Sequence, residues 1–196
     1  SFNAYPYEAT ISVITPDGAY VTLDSITIND TSGNNNGMAD FDEHILLSIQ
    51  ASNVGVDDAH NVYASVSIDD PYISLYVSDV SFSNISAGGS ANSTSNIEFD
   101  IAHNVPDGHG AGFDILFFSA EGQWEGNFNV PIHAPIMTVS NPSFTDSGGD
   151  GIWDAGESIN VVVLLNNEGS ADHYMYPGVH LSENSNDASI ADGMEF

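Results

Sequence analysis

The chain is 196 residues long, with 28 Asp plus Glu, no Lys and no Arg, and so a formal charge of −28. A domain of ordinary composition would carry on the order of 20 basic residues. Partners that need Lys or Arg to neutralise them are therefore excluded, among them nucleic acid, nucleotides and anionic bilayers. Cysteine is also absent, which removes disulfides, thiolate metal sites and thiol nucleophiles, and without Lys there is neither a Lys–Asn isopeptide bond nor a Schiff base. No apolar run approaches the ~20 residues of a membrane span, so no membrane insertion is expected.

Val, Ile, Thr, Tyr and Phe recur in short alternating runs, while strong helix formers are absent or scarce. Residues 1–19 read as the closing strand of a preceding unit or as an exchanged strand. Strands are expected over 20–28, 44–52, 60–68, 72–77, 79–85, 95–101, 111–119 and 122–133. In 95–101, Ile97, Phe99 and Ile101 face one way, with Glu98 and Asp100 opposite; in 122–133, Trp124, Phe128, Val130 and Ile132 share a side. Gly108 and Gly122 are placed to supply positive φ in the turns at 105–108 and 120–122. This number of strands is that of one Ig-like sandwich. The expected fold class is thus all-β, with tandem Ig-like β-sandwich domains: a complete one over 20–134 and the first half of another over 135–196. A half sandwich leaves an uncovered edge, and two accounts stay open. Either the chain is a segment of a longer array, or strands of a neighbouring subunit complete it.

The tandem organisation is written in a loop that occurs twice, as DTSGNNNGMADFDE over 30–43 and DSGGDGIWDAGE over 146–157. Setting Gly37 on Gly151 also aligns Asn36 with Asp150, Asp40 with Asp154 and Glu43 with Glu157. The register continues through Ile45, Leu47, Ile49 and Ala51 on Ile159, Val161, Val163 and Leu165, then Asn53-x-Gly55 on Asn167-x-Gly169. Calcium takes six to eight oxygens from carboxylates, amides and backbone carbonyls, and both copies offer them at short spacing around a glycine bend. The candidate ligands are Asp30, Asn34, Asn36, Met38 (carbonyl), Asp40 and Glu43 in the first loop. In the second they are Asp146, Asp150, Ile152 (carbonyl), Asp154 and Glu157. Asp30 is the loosest, because the strict offset puts Ser32 opposite Asp146. The first copy, with Asn for Asp, is expected to bind more weakly. The competing reading is that Asp, Asn and Gly are turn residues.

Nothing reads as catalytic: there is no G-x-S-x-G elbow and no S-x-x-K, and the histidines stand singly or in loops. Tyr72, Tyr76, Trp124 and Trp153 could form a sugar platform, although packing explains them more simply.

The Asp146-x-Gly-Gly-Asp150-Gly-x-x-Asp154-x-Gly-Glu157 loop, its Ile-Asn-Val-Val-Val strand and the following Asn-Asn-Glu-Gly resemble the Ig-like, CARDB-type repeats of secreted bacterial surface proteins. Residues 105–117, Trp124 and Val130-Pro-Ile-His-Ala-Pro135 are similar to repeats that follow gingipain-like cysteine peptidase domains. The resemblance covers about 20–196 and implies a β-sandwich, a calcium-type loop and export. It carries over no peptidase chemistry, since no Cys is present, and the lack of Lys and Arg departs from typical members. The expected function is an extracellular or cell-surface, non-catalytic structural protein: Ca2+-stabilised repeats forming a fibre, sheath or stalk by self-association. The alternative is an accessory module of a larger secreted hydrolase with a glycan or protein ligand.

Overall fold

A computed structural model describes residues 16–173, 178–182 and 189–190, which contain strands and no helix. By contact density the chain divides into two units, 1–104 with 110–131 and 105–109 with 132–196. The expected closing strand at 1–19 lies, up to residue 15, outside the described residues.

The first unit begins with β1 (Val21–Asn29), β2 (Ala39–Asp40), β3 (His44–Asn53), β4 (Tyr63–Ser67), β5 (Ile73–Val77) and β6 (Asp79–Ser81). It continues with β7 (Ser90–Asn92), β8 (Ile97–Ile101), β9 (Gly110–Phe118) and β10 (Gln123–His133), the last two residues of which fall in the second unit. One sheet runs β1-β3-β8-β5, with β7 continuing the β8 side of β3, and the other runs β2-β10-β9-β4-β6. Alternation dictates which faces meet. Ile45, Leu47, Ile49 and Ala51 on β3 are buried, as are Ala111, Phe113, Ile115 and Phe117 on β9. Phe99 of the first sheet meets Phe113 of the second at a 5.3 Å centroid distance. Phe113 in turn stacks on Phe128 at 5.0 Å. Two antiparallel-paired sheets closing on one apolar layer make an Ig-like β-sandwich, as the strand pattern predicts.

Three local features differ from the sequence reading. The strand expected over 79–85 stops at Ser81, because Phe82 turns into the core and Ile85 pairs Ala59 as an isolated bridge. The strands β2 and β7 are too short to show alternation. Gly108 does take positive φ (73°), but Gly122 does not: its turn is closed by the Ser119 N–H on the Gly122 carbonyl, and Ser119 Oγ accepts the Glu121 N–H.

The second unit holds an antiparallel pair, β11 (Met137–Asp146) and β12 (Ile159–Asn167), with an irregularity between Ser140 and Ser143. Here β12 departs from its counterpart β3. Where β3 carries Ser48 and Gln50, β12 carries Val162 and Leu164, both more than half exposed.

Candidate metal centre

The first acidic loop bridges β1 and β3 and is folded by its own side chains. Asp30, just past β1, accepts the Gly37 N–H on Oδ2 at 3.0 Å, and its carbonyl accepts the Gly33 N–H at 2.7 Å. Asn34 and Asn36 each turn their side-chain oxygen back on the backbone, accepting the N–H of Asn36 (3.0 Å) and Met38 (2.7 Å). Such Asx turns suit these residues. Their Nδ2 groups both donate to Asp40 Oδ2, at 2.6 and 2.8 Å. Glu43 accepts the Asn34 N–H on Oε1 and the Asp40 N–H on Oε2, each at 3.0 Å.

Burial makes this arrangement electrostatically unusual. Asp30, Asp40 and Glu43 are only 2%, 0% and 3% exposed. Asp40 Oδ1 is buried with no hydrogen-bond partner at all. A stranded buried acceptor costs about 1–3 kcal/mol, more when charged, and the chain has no Lys or Arg to offset it. Burial pushes the Glu43 carboxyl above its usual range; its two backbone N–H bonds oppose this, and the Asp40 and Asp30 charges reinforce it. Carboxylate oxygens of this kind are the donors that a hard cation such as Ca2+ takes.

The structure also revises the predicted ligand geometry. Among the described residues no three His, Asp or Glu side chains stand together in a metal-holding group. The amide groups of Asn34 and Asn36 intervene: they present nitrogen, not oxygen, to Asp40. An ion reaching Asp40 would have to displace or rotate them. Met38 joins the loop through its N–H on Asn36.

The second loop repeats these contacts in a more open form. Asp146 Oδ2 accepts the N–H groups of Gly149, Asp150 and Gly151 at 3.1, 3.3 and 3.2 Å. Desolvation raises the Asp146 carboxyl, but the backbone donors together outweigh it and hold it below the usual range. Asp150 accepts the Ile152 N–H at 2.9 Å, and Asp154 donates its N–H to Glu157 Oε2 at 3.0 Å, matching the Asp40–Glu43 contact. Gly37 and Gly151 adopt φ of 83° and 81°, and each gives its N–H to the first Asp of its loop. Asp30 and Asp146 are therefore counterparts, and the strict offset that set Ser32 opposite Asp146 is wrong. The first loop spans seven positions from that Asp to the glycine and the second spans five. Asp150, Ile152 and Asp154 are exposed. The contrast follows from β2, which carries Asp40 into a sheet beside β10; Asp154 belongs to no strand.

Sequence reasoning aligned Asn53 with Asn167 but assigned neither a role. Asn53 Oδ1 accepts the Tyr20 and Gly55 N–H groups, each at 3.0 Å, and Nδ2 donates to the carbonyls of Asp57 (2.8 Å) and Ile85 (3.1 Å). Asn167 does the same with Ile136, Gly169 and Ala171, at 3.0, 3.0 and 2.8 Å. A Cβ on Gly55 or Gly169 would collide with the backbone of residues 18–20 or 134–136, so only glycine fits there. The Asn-x-Gly motif is thus a lock that pins the start of each unit's first strand.

The aromatic residues suggested as a sugar platform each have a place within their own unit. Tyr76 donates its hydroxyl to Asp100 at 2.7 Å, Trp124 packs on Tyr20 at 6.0 Å, Trp153 lies on Phe144 at 5.1 Å and Tyr72 is half-buried. Several histidines pair with acids or hydroxyls: His44 with Asp100 at 2.6 Å, His60 with Glu121 at 2.8 Å, and His133 with Ser170 at 2.7 Å. Ser170 in turn donates to Asp107.

Fold and loops together define an acidic, all-β module with an Ig-like sandwich and a duplicated carboxylate loop. No family model matches the chain, and no curated protein does. A solved structure that it is similar to is the major pilin subunit of Bacillus cereus, at 13% identity and a TM-score of 0.30, over 76% of this chain and 56% of the pilin. The chain thus spans little more than half of that subunit's length.

Proposed function

We propose that this protein is an extracellular, non-catalytic structural protein whose Ig-like repeats are braced by Ca2+ in the duplicated loops. The observation that carries this reading is the unpartnered, fully buried Asp40 Oδ1, in a loop that also buries the carboxylates of Asp30 and Glu43 and in a chain without Lys or Arg. Bound Ca2+ would supply the missing positive charge, and Asp30, Asp40, Glu43 and, once reoriented, the Asn34 and Asn36 amide oxygens would hold it. The loop ties β1 to β3 and, through Asp40, secures the β2–β10 edge, so an ion there stiffens both sheets. Asp146, Asp150, Asp154 and Glu157 form a weaker, more solvated second site. Repetition of the same strand lock supports a serial, fibre- or stalk-like assembly by self-association.

The test is thermal unfolding in Ca2+ and in chelator, with solution size measured in parallel. Ca2+ at 100 times its Kd should add about 2.7 kcal/mol and raise Tm by several degrees. Asp40→Asn should abolish that shift and melt higher than wild type in chelator, because it removes the uncompensated charge. Equal Tm values with and without Ca2+ in the wild-type chain would refute the bracing, and a monomer under all conditions would refute self-association.

A further inference from the structure

The outer face of the β10-β9-β4 sheet carries a second feature unrelated to the acidic loops. Register places its outward side chains in rows across three strands. Tyr63 and Phe118 form the first row, Ser65, Leu116 and Glu125 the second, and Ser67, Asp114 and Asn127 the third. The middle and last rows line an open trough of about 610 Å³, within the usual range for small-ligand sites. At the first row Tyr63 and Phe118 stack at 4.7 Å with their planes 9° apart, and Tyr63 is 45% exposed. Beyond the third row Gly112 adds no side chain, and a Cβ there would meet nothing within 4 Å.

Among the described residues, no side-chain hydrogen bond is made by Ser65, Ser67, Asp114, Glu125 or Asn127, which line this trough. On the other sheet some outward residues bond one another: His44 and Tyr76 both bond Asp100, and Ser25 bonds Gln50. Adjacent strands lie about 4.8 Å apart and alternate residues about 6.8 Å apart along a strand. The polar rows therefore repeat on the scale of a single sugar ring, as on any sheet, and the aromatic pair beside them sets this face apart.

We infer that this trough binds a neutral oligosaccharide. Asp114 and Glu125 would accept sugar hydroxyls, Asn127, Ser65 and Ser67 would donate and accept, and the Tyr63–Phe118 pair would offer an apolar surface to the C–H face of a ring. Acidic sugars are rejected, because two carboxylates face the ligand and no Lys or Arg exists in the chain to offset a third.

The test is titration of the full chain by calorimetry or NMR against neutral hexasaccharides (cello-, xylo-, manno-, laminari- and chitohexaose) and against polygalacturonate. The inference expects at least one neutral probe to bind, with affinity about tenfold lower, or about 1.4 kcal/mol, in Tyr63→Ala and in Asp114→Ala. Polygalacturonate should not bind. Circular dichroism of each variant separates a lost site from a lost fold, and Glu125→Gln, a conservative exposed change, provides a second reading if Tyr63→Ala unfolds. No binding to any neutral probe, binding unchanged in all three variants, or preference for polygalacturonate would overturn it.

Discussion

Replacing Asn53 by Ala removes one side chain, strands three backbone groups and takes one of two bonds from a fourth, the Ile85 carbonyl, which keeps the Ala59 N–H. Asn53 is 1% exposed, and its carboxamide serves the N–H groups of Tyr20 and Gly55 and the carbonyls of Asp57 and Ile85. The bonds to Gly55 and Ile85 are fully buried and the other two partly so. A hydrogen bond contributes about 1 kcal/mol net, and a buried group left unsatisfied costs about 1–3 kcal/mol. The expected loss is therefore about 3–5 kcal/mol, a large part of the 5–15 kcal/mol that holds a typical domain together. The equivalent Asn167→Ala should cost about 1 kcal/mol or less, since Asn167 is exposed and water can replace its contacts. Urea denaturation followed by Trp124 fluorescence, in a Trp153→Phe background, reports the first unit alone. The midpoint should fall with the slope unchanged. A loss below about 1 kcal/mol, or equal losses for the two asparagines, would refute the lock.

Other changes have signs fixed by the structure. Glu43 has a folded pKa raised above its ordinary 4.5, so its contribution is complete below that value and is lost as pH rises through the folded pKa. Calcium-free protein should gain stability on mild acidification from pH 7, and Glu43→Gln should flatten that slope in a pH series of melts. Glu121 behaves oppositely: the His60 backbone N–H, followed by the His60 ring, holds it at about 2. Its contribution is present above 4.5 and lost as pH falls toward 2, and Glu121→Gln should remove that part of the acid transition in the same series. Gly37→Ala meets no atom but must hold a φ of 83°, and should cost about 1 kcal/mol. Gly55→Ala must push backbone apart; far-UV circular dichroism and yield of soluble protein should show that it fails to fold.

Much of the sandwich could be read in the chain because burial leaves a period-two trace. Ile45 to Ala51 and Ala111 to Phe117 announce both core faces, and their strands lie within a residue of the expected spans at most ends. The strands β2 and β7 leave no such trace, since two or three residues define no period. At the loops, the acids and glycines could be aligned but their partners could not. Spacing alone does not reveal that the Asn34 and Asn36 oxygens cap backbone N–H groups within the loop. The extra length of the first loop made Asp30 the loosest of the aligned ligands, and the bond that each Asp receives from its loop glycine fixes its match to Asp146. The trough could not be seen because cross-strand register, not sequence proximity, brings Ser65, Asp114 and Glu125 together.

The two-sided apolar strand β12 has a colloidal consequence. Val162 and Leu164 are sticky at short range, yet every copy of the chain repels every other through its uniform negative charge. That repulsion reaches about 30 Å at 0.01 M ionic strength and only about 8 Å at 0.15 M. Dilute buffer should keep the molecules dispersed, and a move to brackish or saline water should let these patches meet, so that ionic strength alone sets the threshold for association.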